Sequence, residues 1–88
     1  MLRKHVIVHG EVQGVGFRYH ARAEATRLRV AGFARNLPDG TVEVEMEGED
    51  LDVATMLDWL AKGPDWAVVS NIEERDIQPA GETGFRID

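Results

Sequence analysis

Apolar residues recur along the chain with two different spacings, and each spacing predicts a different element. Every second residue is apolar from Val42 to Met46, with glutamates between them, which is typical of a strand with one buried face. Apolar residues recur every three or four positions from Phe17 to Leu28 and from Val53 to Leu60, which is typical of helices. The pattern predicts strands at 2–9, 30–37, 41–48, 66–77 and 85–87, and helices at 17–29 and 49–62.

This order of strands and helices predicts an α+β fold. Crossovers between parallel strands are right-handed in almost all proteins, so both helices are expected on one face of a mostly antiparallel sheet. The arrangement is the ferredoxin-like βαββαβ sandwich, here with a short final strand. Its first and second strands run parallel with the third between them. Their C-terminal ends therefore meet at one edge of the sheet, about 10 Å apart.

A glycine-rich turn joins the first predicted strand to the first predicted helix. Gly14 and Gly16 allow positive φ angles and let a ligand approach the backbone closely. The first N–H groups of a helix have no intrahelical partner, and the helix dipole adds positive potential, so the turn suits an anion. Arg18 follows with a planar set of donors that matches phosphate, and the fold brings Asn36 to the same edge.

The distribution of charge limits the class of ligand. Residues 1–40 hold seven Lys and Arg against three Asp and Glu, whereas residues 41–88 hold three against thirteen. The basic half contains the glycine turn, which is consistent with a small anion, while the acidic half argues against nucleic acid. The chain has no cysteine and no apolar run near the roughly 20 residues of a membrane span. We therefore expect a single cytoplasmic domain over residues 1–88, without membrane contact and with a monomer favoured.

Three other groups of polar residues allow a second interpretation. His5 and His9 share one face of the first strand and could bind a metal, but surface or edge histidines are the simpler interpretation because metal sites need further ligands. His20 could act as a general base. It lies two residues after Arg18 and therefore on another face of the predicted helix, which does not favour that role. A row of carboxylates on the third strand is more typical of a solvated surface than of a metal face: Glu43, Glu45 and Glu47.

Two stretches of the chain resemble the signatures of the acylphosphatase family. Residues 10–18 (GEVQGVGFR) are similar to the first signature, and residues 32–43 (GFARNLPDGTVE) to the second. The ending at 84–87 (GFRI) also matches, so the resemblance covers essentially the whole chain. Phe33 and Ala34 stand where a tryptophan and a larger β-branched residue are common, and both departures concern packing. The two signatures in this order and spacing make the resemblance specific.

The resemblance implies hydrolysis of the carboxyl-phosphate anhydride of an acyl phosphate. Carried over by position, Arg18 would bind the phosphoryl oxygens and Asn36 would orient the attacking water. The resemblance implies no metal, no cofactor and no obligate protein partner. The signatures do not specify the leaving acid, so acetyl phosphate, 1,3-bisphosphoglycerate and aspartyl phosphate are all compatible. The main-chain N–H groups of the turn would complete a cradle whose phosphate-binding residues are Gln13, Gly14, Val15, Gly16, Phe17 and Arg18.

Two non-enzymatic functions are also open to this fold, because fold alone does not determine function. The domain could be a non-catalytic module that binds an acyl phosphate or regulates a larger enzyme. It could also bind RNA, but that favours aromatic residues and positive charge on the central strands. The predicted hairpin is acidic, and the central strands carry small apolar residues: Val6, Val8, Val42 and Val44.

Overall fold

The computed structural model describes all residues, 1–88, as a five-stranded sheet with two helices. The sheet order is β4-β1-β3-β2-β5, and only the β2–β5 pair is parallel. This confirms the predicted ferredoxin-like arrangement. Neither helix is long and apolar enough to cross a bilayer. In chain order the elements are β1 (Leu2–Glu11), α1 (Phe17–Leu28), β2 (Ala31–Asn36), β3 (Val42–Gly48), α2 (Asp50–Lys62), β4 (Val68–Ile77) and β5 (Phe85–Ile87).

The observed elements differ from the predicted ones by at most two residues at either end. Helix α1 ends before Arg29 because that residue adopts a left-handed φ of 59°, and its N–H donates to the main-chain oxygens of Ala25 and Thr26. Strand β1 extends past His9 because a register shift between His9 and Gly10 lets pairing with β4 continue to Glu11. This extension carries the chain directly into the glycine turn.

The core lies between the two helices and one face of the sheet, as the apolar spacing predicts. The alternating apolar residues of β1 and β3 face inward and are inaccessible to solvent. Phe17 and Ala21 of α1 and Met56 and Leu60 of α2 pack against them. The full cluster is Val6, Val8, Val12, Phe17, Ala21, Ala25, Val30, Ala34, Val42, Val44, Met46, Val53, Met56 and Leu60.

The outer face of the sheet corrects the prediction that the glutamates of β3 form a solvated row. Arg3 and Glu47 are only 3% and 2% exposed. Arg3 donates to Glu45 at 2.7 Å and to Glu47 at 3.1 Å. The main-chain N–H groups of Ala80 and Gly81 also donate to Glu47, so the 78–84 loop covers it. These backbone bonds and Arg3 hold the pKa of Glu47 below its usual value, although burial opposes the shift.

The remaining carboxylate of the row is also paired. Nε2 of His5 lies 2.8 Å from Glu43, which accepts a further hydrogen bond from Nε of Arg35. Burial raises the pKa of Glu43, but these two partners outweigh it and lower the pKa overall. His9 likewise pairs with Glu73 of β4. Strand β1 lies inside the sheet, so neither histidine is on an edge strand, and no group of three or more potential ligands converges to hold a metal ion.

Candidate active site

The turn after β1 has the backbone geometry of an anion site. Gly14 and Gly16 both adopt φ of 76°, which glycine adopts without strain. Gly16 is the N-cap of α1, no side chain caps the helix, and its first turn contains no acidic residue. A Cβ atom at Gly14 would meet nothing within 4 Å. The first N–H groups of α1 therefore have no side-chain acceptor, and the space beside Gly14 is open.

A cleft of about 210 Å³ lies where the C-terminal ends of β1 and β2 meet at the glycine turn. It brings together most of the predicted site residues. Two members of the predicted phosphate cradle, Gln13 and Val15, belong to the turn without lining the cleft. The residues that line it are Val12, Gly14, Gly16, Phe17, Arg18, Tyr19 and Asn36.

Asn36 lines this cleft and carries an unpaired side-chain acceptor. It is the last residue of β2 and pairs in register with Val42. Its Oδ1 is the one buried side-chain oxygen or nitrogen of the chain without a hydrogen-bond partner. Leaving a buried polar atom unpaired costs about 1–3 kcal/mol, which a bound water or ligand donor would recover.

Arg18 supplies donors to the same cleft. The residue is half-buried, and Nη1 donates to the main-chain oxygen of Asp88 at 3.1 Å. The N–H of Asp88 in turn donates to the oxygen of Ala34 at 3.0 Å, two residues before Asn36. The fold thus ties Arg18 to the strand that carries Asn36. A guanidinium has five N–H donors, so most of them stay available to an anion.

The side chain of Gln13 connects the two loops of the site. Its Nε2 donates to the main-chain oxygen of Leu37 at 2.7 Å and to that of Thr41 at 2.9 Å. These bonds join the glycine turn to the hairpin turn that follows Asn36. Sequence reasoning missed this clamp because the bonded residues are 24 and 28 positions apart and no local pattern relates them.

The hairpin turn beyond Asn36 is itself fixed by Asp39. Its carboxylate accepts hydrogen bonds from the hydroxyl of Thr41 at 2.6 Å and from the N–H of Thr41 at 3.0 Å. These bonds lower the pKa of Asp39. The main chain closes the same turn, since Leu37 donates to Thr41 at 2.9 Å and Gly40 donates to Leu37 at 3.1 Å.

His20 lies outside the cleft. Its Nδ1 is 2.8 Å from the main-chain oxygen of Gly16, and because a carbonyl only accepts hydrogen bonds, Nδ1 carries the proton. The ring therefore packs back over the helix N-terminus. The structure does not bring His20 together with Asn36 among the lining residues.

The largest cavity of the chain lies at the other end of α1 and does not suit an anion. It has a volume of about 350 Å³ and is lined by Arg29, Glu47 and Glu82 among others. Both carboxylates accept hydrogen bonds from Arg3, at 3.1 and 2.6 Å. The chemistry of the lining, and not the volume, therefore identifies the smaller cleft as the candidate site.

Comparison with known proteins shows similarity over nearly the full chain. The sequence model of the family described as Acylphosphatase matches residues 4–87. An acylphosphatase of Thermococcus kodakarensis is 43% identical over 86 residues, which cover 98% of this chain and 94% of that protein. The crystal structure of acylphosphatase from Bacillus subtilis superposes with a TM-score of 0.96 at 34% identity, covering 100% of this chain and 99% of the other.

The same fold also occurs inside a much longer protein. Full-length HypF, crystallised in a phosphate- and nucleotide-bound form, matches with a TM-score of 0.91 at 26% sequence identity. The match covers 99% of this chain but 12% of HypF.

Proposed function

The chain belongs to the acylphosphatase family and hydrolyses acyl phosphates, and we propose that Arg18, Asn36 and the main-chain amides of residues 13–17 carry out this reaction. The observation that supports these roles is the unpaired Oδ1 of Asn36 in a cleft formed by an uncapped helix N-terminus and a guanidinium. One side of the cleft offers donors and the other offers an acceptor. A phosphoryl group and a water molecule need this combination.

The phosphoryl group is held by the donor side of the cleft. Main-chain N–H groups around Gly14 and Gly16 and the guanidinium of Arg18 donate to its non-bridging oxygens. Charge-assisted hydrogen bonds of this kind contribute about 1.5–3 kcal/mol each. Phosphoryl transfer passes through a loose transition state, so catalysis depends mainly on positioning and on stabilising these oxygens.

The attacking water is held by the acceptor side. Oδ1 of Asn36 accepts one O–H of the water, which turns a lone pair of the water towards phosphorus. The water oxygen forms the new P–O bond, and the bond to the acyl oxygen breaks with its electron pair leaving on the carboxylate. Both water protons end on the phosphate product. A carboxylate is a weak base, so the leaving group needs no general acid.

The two roles are separated by the variants Arg18→Ala and Asn36→Ala. We expect Asn36→Ala to lower kcat for acetyl phosphate by at least about 100-fold, while the inhibition constant of inorganic phosphate changes less than threefold. We expect Arg18→Ala to lose both turnover and inhibition by phosphate, because it removes the charged donor. Each assay is run with and without EDTA, and we expect no effect of the chelator.

Two further variants act as controls. Arg22→Ala removes an exposed arginine of the same helix that stacks over Tyr19, and Asn71→Ala removes an exposed asparagine of β4. Both should keep turnover within about twofold of the wild type. Full activity in Asn36→Ala would disprove the water-orienting role. Unchanged phosphate inhibition in Arg18→Ala would disprove the phosphate-binding role.

A further inference from the structure

A second groove, which we call the indole groove, lies beside the cleft. It has a volume of about 310 Å³ and contains two tryptophans. Trp66 stands in the turn before β4 with 84% of its surface exposed, and Trp59 of α2 is half-buried with its ring 5.6 Å from that of Phe17. The remaining lining residues are His20, Pro64 and Asp65.

The indole groove and the cleft share a wall. Phe17 lines the cleft, and its ring also packs against that of Trp59 in the groove. Gly16 also lines the cleft, and its carbonyl accepts the hydrogen bond from His20 of the groove at 2.8 Å. Gly16 and His20 are one helical turn apart, which is about 5.4 Å. The groove therefore begins within the length of a small acyl group from the cradle.

The sheet order places the groove opposite Asn36. Asn36 ends β2, which lies on one side of β1 beyond β3, whereas the groove borders the start of β4 on the other side. The glycine turn that follows β1 lies between them. In an in-line displacement the leaving group departs on the side away from the attacking water. A water at Asn36 thus directs the leaving carboxylate towards β4 and the groove.

We propose that the indole groove binds the acyl group of the substrate and favours flat aromatic acyl groups over short aliphatic ones. This inference rests on the proposed phosphate site. Indole faces bind flat rings through offset or edge-to-face packing. The carboxylate of Asp65 in the lining repels an acyl group that carries a second negative charge. The preferred acyl group is therefore aromatic and neutral or cationic.

The variant Trp66→Ala tests the aromatic preference with two substrates. We expect kcat/KM for benzoyl phosphate to fall roughly three- to tenfold, while kcat/KM for acetyl phosphate changes less than twofold. The inhibition constant of inorganic phosphate should not change, because phosphate does not enter the groove. Trp66→Phe keeps an aromatic ring and should keep most of the preference for benzoyl phosphate.

Leu51→Ala is the matched control, because Leu51 is another large apolar residue, 77% exposed, and it lies outside the groove. It should leave the ratio of the two kcat/KM values unchanged. An unchanged ratio in Trp66→Ala, or an equal loss on both substrates, would overturn the proposal. Failure of the phosphate site is a separate result, since it would appear as unchanged inhibition by inorganic phosphate in Arg18→Ala.

The charge preference is tested with Asp65→Asn and succinyl phosphate, whose acyl chain ends in a second carboxylate. We expect kcat/KM for succinyl phosphate to rise about two- to threefold relative to acetyl phosphate, since a repulsion at the groove is removed. An unchanged ratio would overturn the role of Asp65 in selection.

Discussion

The outer sheet face and the cleft use similar polar groups in opposite ways. On the sheet face, Arg3 donates to three carboxylates within 3.1 Å, and both oxygens of Glu47 accept hydrogen bonds. In the cleft, Arg18 donates to a single main-chain oxygen, and Oδ1 of Asn36 accepts nothing. One region is saturated with internal partners, whereas the other keeps its donors and acceptor free.

The difference shows what each region contributes to the protein. A saturated buried cluster stabilises one arrangement of strands and loop, and a ligand finds nothing in it to bind. Unpaired groups lower stability, but they are already oriented for a substrate and need no rearrangement when it binds. The contrast therefore predicts that variants of the sheet face change stability, while variants of the cleft change activity.

The largest effect on stability is expected from Arg3→Ala. Removing one partner of a buried ion cluster leaves Glu47 and its neighbours uncompensated, which lowers the free energy of unfolding by about 3–5 kcal/mol. Arg3 is about 25 Å along β1 from the glycine turn, so kcat at a temperature where the variant is folded should stay within about twofold. Urea unfolding and an acetyl phosphate assay measure the two quantities.

Lys4→Ala is the natural control for burial. Lys4 is the next residue and pairs with Glu74 at 3.0 Å and with Asp76 at 2.7 Å, but the side chains of these partners are 40% and 67% exposed. We expect a loss of about 0–1 kcal/mol, as for other exposed ion pairs. Equal losses of unfolding free energy in Arg3→Ala and Lys4→Ala would show that the buried cluster around Arg3 contributes no more to stability than an exposed ion pair.

A smaller and mixed effect is expected from Gln13→Ala, since Gln13 belongs to the glycine turn but its Nε2 donates to two main-chain oxygens. Loss of its two hydrogen bonds should lower the free energy of unfolding by about 1–3 kcal/mol. Because the bonds join the phosphate turn to the loop after Asn36, kcat should also fall about tenfold.

The expected split between kcat and binding identifies Gln13 as a positioning residue. Phosphate inhibition should weaken less than kcat falls, since the amides of the turn remain present while the water position shifts. Stability loss with unchanged kcat would mean that Gln13 has only a structural role. Gln13→Glu offers a second variant, which keeps the length of the side chain but removes its donors.

The fold could be predicted from the sequence because its elements depend on local spacing. Alternation in β3 and the three- and four-residue spacing in both helices each identified the buried side correctly. The prediction of a solvated glutamate row was wrong because alternation shows on which face of the sheet a side chain lies but not what covers that face. The cover of Glu47 comes from Ala80 and Gly81, more than 30 positions along the chain.

The candidate site could be predicted only in part for a related reason. Arg18, Asn36 and the glycines belong to recognisable signatures, and the structure gathers them around one cleft. The hydrogen bond from Arg18 to Asp88 and the bonds of Gln13 depend on strands that meet only in the folded chain. The two tryptophans beside the cleft, Trp59 and Trp66, likewise come from a helix and a turn that are distant in sequence from the signatures.

The only gain in stability is expected from Asn36→Ala. If Oδ1 of Asn36 is held unpaired for the sake of the substrate, deleting it should raise the free energy of unfolding by about 1 kcal/mol while turnover is lost. Urea unfolding without phosphate measures the gain, and Asn71→Ala on the exposed side of β4 should show none. A clear loss of stability in Asn36→Ala would mean that the amide already contributes to the fold. Asn36 would then not be an unsatisfied group, and the contrast between the saturated sheet face and the unsatisfied cleft would no longer hold.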